Sequence, residues 1–172
     1  FELGRCYERS GRIDRSVATF QRLLARKPDN HTALNYLGYT LAEKGIRLSE
    51  AKGYIERALA ADPENGAYLD SMGWVLFRQA NYREAMGYIQ RALAAEEAAL
   101  ASAQDRPSRP EIEENLAIIH DHAGDAAKAL GDPGKARYHW QRAVDLDPDN
   151  ATFSDKLRSL VPPVTEAPAR TK

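Results

Sequence analysis

The chain has 172 residues, 43% of them hydrophobic, with 24 Lys and Arg against 25 Asp and Glu for a formal net charge of −1. That balance excludes the clustered basic excess of a nucleic-acid surface, and no stretch approaches the ~18–20 uninterrupted apolar residues of a membrane span. Cys6 is the only cysteine, which excludes an internal disulfide and makes a small helix residue a better reading of it than a reactive thiol.

In chain order, Phe1–Ser10 reads as what remains of a first helix, and Gly11-Arg12-Ile13-Asp14 turns into a second that ends before Pro28. Opening in mid-helix predicts a fragment of a longer array, with Leu3, Tyr7 and Phe20 partly exposed where a preceding unit is missing. Asp29-Asn30 offers caps for the next helix, predicted over 31–44. The turn from Gly45 to Ser49 is one residue longer than its equivalents and leads into a helix over 49–61, stopped by Asp62-Pro63. Gly66 to Ala99 reads as two helices joined by a tight turn. Leu69, Met72, Gly73 and Leu76 share one face of the first, and Ala85, Ile89 and Ala92 share one face of the second. Each face carries a small residue, Gly73 or Ala85, where the crossing backbones come close.

Ala92 to Gln104 is almost entirely strong helix formers, so the second helix of this pair runs on to about residue 104. Asp105 to Pro110 holds two prolines and reads as a loop. Ser108 and Glu111 have the spacing of a capping box, and Pro110 is tolerated in a first turn, so the next helix starts near Glu111 and runs to Leu130. The long arms, over 82–130, are expected to project beyond the stack, either as a tolerated surface insertion or as a lever for a second partner or a neighbouring subunit. Gly131-Asp132-Pro133-Gly134 turns into a helix over 135–146. Phe153, Leu157 and Leu160 at i, i+4, i+7 suit a capping helix over 151–161. Residues 162–172 offer no apolar face and read as a disordered tail.

The hairpin recurs. Gly4, Gly38, Gly73 and Gly124 are 34, 35 and 51 residues apart, and Ser16, Ala51, Ala85 and Ala136 are 35, 34 and 51 apart. Pro28, Pro63 and Pro148 close second helices in the same register. The units fall at 1–30 (partial), 31–65, 66–99 and 117–150, with an insertion over 100–116. A single hairpin cannot bury its own apolar faces, so such units stack into a solenoid in which each touches its neighbours.

The marks resemble the tetratricopeptide repeat, whose pattern is W-x2-L-G-x2-Y, then A-x3-F, then P. The copies read Leu3-Gly4-x2-Tyr7, Ser16-x3-Phe20 and Pro28; Leu37-Gly38-x2-Leu41, Ala51-x3-Ile55 and Pro63; Met72-Gly73-x2-Leu76 and Ala85-x3-Ile89, with Glu97 in place of Pro; and Gly124-x2-Ala127, Ala136-x3-Trp140 and Pro148. The resemblance implies an all-α, right-handed superhelical solenoid of antiparallel helix hairpins, about four units plus the capping helix. It also implies that first helices line a concave groove. The groove positions of the family fall on Arg5, Glu8 and Arg9; on Asn35, Tyr36, Tyr39 and Glu43; on Asp70, Ser71, Trp74, Phe77 and Arg78; and on Asp121, His122, Asp125 and Lys128. Aromatic and Arg side chains are the usual anchors of peptide recognition; the alternative is that Trp74 and Tyr39 only pack on each other. Some chaperone-binding members clamp a C-terminal carboxylate with Lys, Asn and Arg at five positions. Here those positions read Phe1, Arg5, Tyr36, Ala67 and Ser71, so that clamp is absent.

Other chemistry is weakly signalled. Gly134-Lys135 lacks the Gly and the Ser or Thr of a phosphate loop, since Ala129 and Ala136 stand there. His120 and His122 are two apart on a helix and point in different directions, unlike an i, i+4 ligand pair, so no metal site is expected. Carboxylates are many, but none are ordered into an acid–base pair, and no cofactor or catalytic residue is expected. The leading reading is a non-catalytic scaffold that binds a protein or peptide partner and no nucleic acid, with a homo-oligomer possible. A narrower alternative, from a resemblance to the C-terminal repeats of bacterial tetratricopeptide proteins, is an adaptor lipoprotein for an envelope protease or cell-wall enzyme. An RNA-binding helical repeat would want a basic groove, against which Asp70, Asp121 and Asp125 argue; a regulatory part of an enzyme is the remaining class. The compartment is open between cytoplasm and bacterial envelope.

Overall fold

Asn or Asp starts most of the helices that follow a loop, because the first N–H groups of a helix have no partner within it. The Asn30 side chain accepts from the Ala33 N–H at 2.9 Å, Asn65 from Tyr68 at 3.2 Å, Asn150 from Thr152 at 3.1 Å and Asp132 from Lys135 at 2.9 Å. In the computed structural model, which describes residues 1–103 and 108–160, these caps open four of the nine helices found among the described residues. The helices are α1 (Glu2–Arg9), α2 (Ile13–Arg26), α3 (His31–Glu43), α4 (Leu48–Ala61), α5 (Gly66–Arg78), α6 (Tyr82–Ser102), α7 (Arg109–Ala129), α8 (Pro133–Leu146) and α9 (Ala151–Arg158). The chain is an all-α solenoid: α1 pairs with α2, α3 with α4, α5 with α6 and α7 with α8.

Close approach within each hairpin is set by the small residues. A methyl group added at Gly38 would lie 2.6 Å from Ile55 Cγ1 and 2.8 Å from the Ala51 carbonyl oxygen. At Gly73 it would lie 2.5 Å from Ile89 Cγ1 and 3.2 Å from the Ala85 oxygen; at Gly4 it would meet the Phe20 ring, and at Gly124 the Trp140 indole. Phe20, Ile55, Ile89 and Trp140, each four residues beyond the small residue of its second helix, are buried as a result. Ser16 replaces the Ala of that position without leaving a polar group unpaired, since its hydroxyl donates to the Gly4 carbonyl at 2.9 Å.

Second helices are tied to the loop of the preceding unit by a recurring arginine. Arg57 donates to the Pro28 carbonyl at 2.6 Å and Arg91 to that of Pro63 at 3.3 Å. At the far end, α9 closes the core: Phe153 is buried with Ala117 and Ala143, and Leu157 and Leu160 pack on Ala127, Ala136 and Trp140.

Several details differ from the sequence reading. Phe20 is fully buried, because Phe1 packs on it at 5.7 Å and Tyr36 stacks on it at 5.9 Å; Leu3 is exposed and Tyr7 partly exposed, as expected. The Ser108–Glu111 capping box does not form: Ser108 has helical backbone angles and makes no side-chain cap bond, and α7 begins at Arg109 with Pro110 in its first turn. The helix expected from residue 135 begins at Pro133, since Asp132 caps it and proline suits a first helical position. The predicted tail over 162–172 and half of the predicted loop over 105–110 lie outside the described residues.

The tight turns within hairpins need a left-handed residue. Gly11, Gly45 and Gly131 supply it at three, but Ala80 does so at the α5–α6 turn with φ of 63°. Replacing Ala80 by Gly should therefore raise stability, by up to ~1 kcal/mol. Gly38→Ala should lower it by ~1–3 kcal/mol, because the backbone oxygen of Ala51 cannot yield as a side chain would. Thermal melts of both variants beside the parent check this; an unchanged melt for Gly38→Ala would mean that the hairpin opens at no cost.

Candidate functional site

First helices touch along the stack, α3 with α5 and α5 with α7, whereas second helices make no comparable contact with one another among the described residues. Closer spacing on one side bends a solenoid toward that side, so the concave surface is built by α3, α5 and α7. A cavity of about 160 Å³ opens there. Its apolar wall is Ala67, Ile118, Ile119 and the rings of Tyr36 and Tyr39; its polar wall is Asn35, Asp70, Ser71 and Asn115.

Around this cavity the aromatic and charged groups form one linked set. The His122 imidazole stacks on Trp74, with centroids 4.1 Å apart, and lies 6.2 Å from the Tyr39 ring, so it packs on both aromatics. Its Nδ1 meets the two Asp70 oxygens at 3.0 and 2.9 Å, with both side chains buried. Trp74 Nε1 donates to Glu43 at 2.9 Å and stacks on Phe77 at 4.9 Å. Arg78 donates to the Glu43 carbonyl at 2.6 Å and lies 5.7 Å from the Trp74 ring centroid. Lys156, from α9, donates to Asp121 at 2.6 Å and to Asp125 at 2.8 Å. Three first helices and the last helix are thereby joined across the groove.

Titration follows this geometry. Burial opposes a charge on His122, but Asp70, by charge and hydrogen bond, and then Asp121 and Asp125 outweigh it and raise the pKa above the ordinary 6.5. Lys156 is likewise held charged against its burial by Asp121 and Asp125. Burial raises the Asp121 pKa from its ordinary value in spite of Lys156. On the other side of α7, His120 Nδ1 faces His139 Nδ1 at 3.1 Å. Burial and the neighbouring His139 and Arg142 lower the His120 pKa to about 4, and burial and Lys135 lower that of His139. No group of three metal-ligating side chains occurs among the described residues.

The residues projected onto the groove thus have different fates. Asn35, Tyr36, Tyr39 and Asp70 line the cavity. Trp74 is buried, with 8% exposure, inside the linked set. Phe77 packs between Trp74 and Tyr82, and Arg78 is committed to Glu43. Asp121 and Asp125 are paired with Lys156. Arg5 lies 5.5 Å from the centroid of the Tyr36 ring and 3.7 Å from Glu2, and Arg9 is exposed in the last turn of α1. Projection from the repeat missed Lys156, Asn115 and Ile118. Lys156 belongs to the helix after the last repeat, and Asn115 lies in the lengthened start of α7, so neither has a place in a 34-residue register.

Opposite pKa shifts give a two-sided pH dependence. A histidine whose folded pKa is raised stabilises fully below its unfolded value, and that stability is lost as pH rises through the folded value. His122 therefore weakens the fold above its ordinary 6.5. His120 and His139, with lowered folded values, weaken it as pH falls below 6.5. Melting temperature should peak near neutrality over a scan from about pH 5 to 8.5, and Asp70→Asn should remove the high-pH decline. Removing one partner of a buried pair costs ~3–5 kcal/mol, so that variant should also melt well below the parent. A high-pH decline that survives in Asp70→Asn would rule out the pair as its source.

Comparison with known proteins agrees with the architecture. Two family models, both described as tetratricopeptide repeat, match residues 1–65 and 47–96 and residues 117–150. A TPR repeat-containing protein of Pseudomonas aeruginosa is 51% identical over 57 residues, which is 33% of this chain and 10% of that protein. The chain thus spans about a tenth of the length of that curated relative. Among solved structures, MamA is similar with a TM-score of 0.63 at 16% identity, over 93% of this chain and 83% of the other. PilF of Pseudomonas aeruginosa gives 0.62 at 20% identity, over 92% and 64%. The first TPR of Spaghetti (RPAP3), bound to the HSP90 peptide SRMEEVD, gives 0.58 at 20%, over 76% and 89%. With repeat models matching well over half of its residues in the register of its own glycines, the chain belongs to the tetratricopeptide repeat family.

Proposed function

We propose that the chain is a non-catalytic scaffold that holds an extended segment of a protein partner along the concave face of α3, α5 and α7. The observation that carries this reading is the cavity of about 160 Å³ on that face, walled by Tyr36 and Tyr39 and by four polar side chains and left unfilled by the chain itself. Recognition sites are concave, largely apolar and supplied with a few placed polar groups, and this face has that character. A structurally similar repeat domain is described as bound to an HSP90 peptide, which supports a peptide as the kind of ligand. The ligand here differs from one held by its terminal carboxylate, because the five positions of the carboxylate clamp hold a single cation, Arg5, beside Phe1, Tyr36, Ala67 and Ser71.

Trp74 serves the fold, since it is buried and hydrogen-bonded, so its loss would not report on binding. Tyr36 and Phe77 are partly exposed and are the better probes. A displayed library of linear peptides selected on the chain should yield binders that Tyr36→Ala and Phe77→Ala weaken by ~2 kcal/mol, about 30-fold. Tyr138→Ala, on the second-helix side at α8 and 59% exposed, should leave them unaffected. Melting temperatures are read alongside. If the selected peptides are insensitive to both groove variants while these remain folded, the binding face lies elsewhere.

A further inference from the structure

We infer that the cavity between α3, α5 and α7 is an anchoring pocket for one cationic side chain, lysine or arginine, of the bound segment, with the Asp70 carboxylate and the Asn35 carbonyl oxygen receiving its N–H groups. This rests on the groove being the partner-binding face and specifies the chemistry it selects.

The two walls match such a side chain. Ala67, Ile118 and Ile119 face a stem of methylene groups, and the Tyr36 and Tyr39 rings extend that apolar contact. Long charged side chains bury their stems in this way while the head keeps its hydrogen bonds. The volume, about 160 Å³, is close to that of a cavity known to admit a benzene-sized molecule, so one side chain fits and a folded segment does not.

The polar wall is rich in acceptors. Asn35 is 7% exposed, and its buried Oδ1 has no hydrogen-bond partner. Buried polar atoms in folded proteins nearly always have one, and rotation about a broad terminal torsion turns this carbonyl to an incoming donor. Ser71 gives its proton to the Ala67 carbonyl at 2.9 Å, so its oxygen can only accept. Asp70 takes one N–H from His122 across both oxygens, which leaves most of its roughly four acceptor sites.

Charge around the cavity favours a cation as well. Burial, followed by the carboxylates of Glu43, Asp70, Glu8 and Asp121, pushes the Tyr39 phenol above its usual range. Burial raises Glu96 too; Asn115 lowers it through a hydrogen bond, and Asp70 and Glu111 raise it further. Against these stand Arg5 over the Tyr36 ring, His122 on Asp70 and Lys156 on Asp121. Neither Glu8 nor Glu43 forms a salt bridge among the described residues. The chain itself shows what Asp70 accepts: on the side toward Trp74 the carboxylate already holds an imidazole in an aromatic setting.

Four small probes test the assignment by titration into the isotope-labelled chain, followed by NMR at low ionic strength. They are the N-acetyl N-methylamides of lysine, arginine, norleucine and glutamate. The lysine and arginine probes should give saturable shifts at Asn35, Ser71 and Asn115 with affinities on the order of millimolar. Norleucine, with a similar stem and no charge, should bind at least about tenfold more weakly, and glutamate not at all. Ala67→Leu, which fills the cavity from a helical position, should abolish the cation response while shifts elsewhere match the parent; Asn35→Leu should weaken it. Equal binding of norleucine and lysine, preference for glutamate, the absence of any saturable shift, or an unaltered response in folded Ala67→Leu would each overturn the assignment. Peptides selected by display that remain sensitive to Phe77→Ala would show that the groove reading stands even where the cation pocket fails.

Discussion

In each hairpin one helix lies so close to its neighbour that a single methyl group has no room between them. At Gly38 and Gly73 the obstruction is partly backbone, the carbonyl oxygen of Ala51 or Ala85, and so cannot relax by rotamer change. This approach buries Ile55 and Ile89 completely and sets how closely the two helices of each pair pack. In the last repeat the indole of Trp140 takes the place of the aliphatic side chain over Gly124. Its Nε1 is buried without a partner, and the Lys128 amino group lies 5.5 Å from the ring centroid.

On the inner face, the side chains that first helices present to each other are unusually polar for so buried a surface. Asp70, Ser71, Asp121 and His122 are all under 9% exposed. Such groups are tolerated because most have partners: His122 with Asp70, Lys156 with Asp121 and Asp125, and the Trp74 indole with Glu43. Breaking one of these contacts leaves a buried charge or donor uncompensated, which costs more than the contact itself contributes. The set is thus a source of rigidity in the groove. The exceptions, Oδ1 of Asn35 and Oδ1 of Asp121, lie on the same face.

The lengthened α6 and α7 acquire a role from this arrangement that their composition does not announce. Each has 21 residues against 13 or 14 in the standard helices of the second and third units. The added turns are not idle, since Leu100 and Ile112 pack onto the core of this hairpin. Asn115, which precedes the fourth repeat match at residue 117, forms part of the cavity wall. Extra helical turns of strong helix formers cost little, and here they enclose a cavity that a standard hairpin would leave more open.

The repeat, its all-helical class and the glycine–small-residue crossings were legible from the chain alone, because each depends on residues within one hairpin and recurs at a fixed spacing. Local physics writes itself in the sequence many times over, and a register such as Gly4, Gly38, Gly73 and Gly124 averages out the exceptions. The contents of the groove were legible only as a set of candidate positions. Which of them would be consumed by the fold depended on partners 31 to 52 residues away: Glu43 for Trp74, Asp70 for His122, Asp121 and Asp125 for Lys156. Phe20 gave the same lesson, since Tyr36 returning over its ring and Phe1 complete the burial that Gly4 begins. Side chains from different repeats meet at distances set by the superhelix, not by the period, and α9 lies outside the period altogether. For that reason the sequence determined how the units are built, and the tertiary structure decided which groove residues remain to meet a partner.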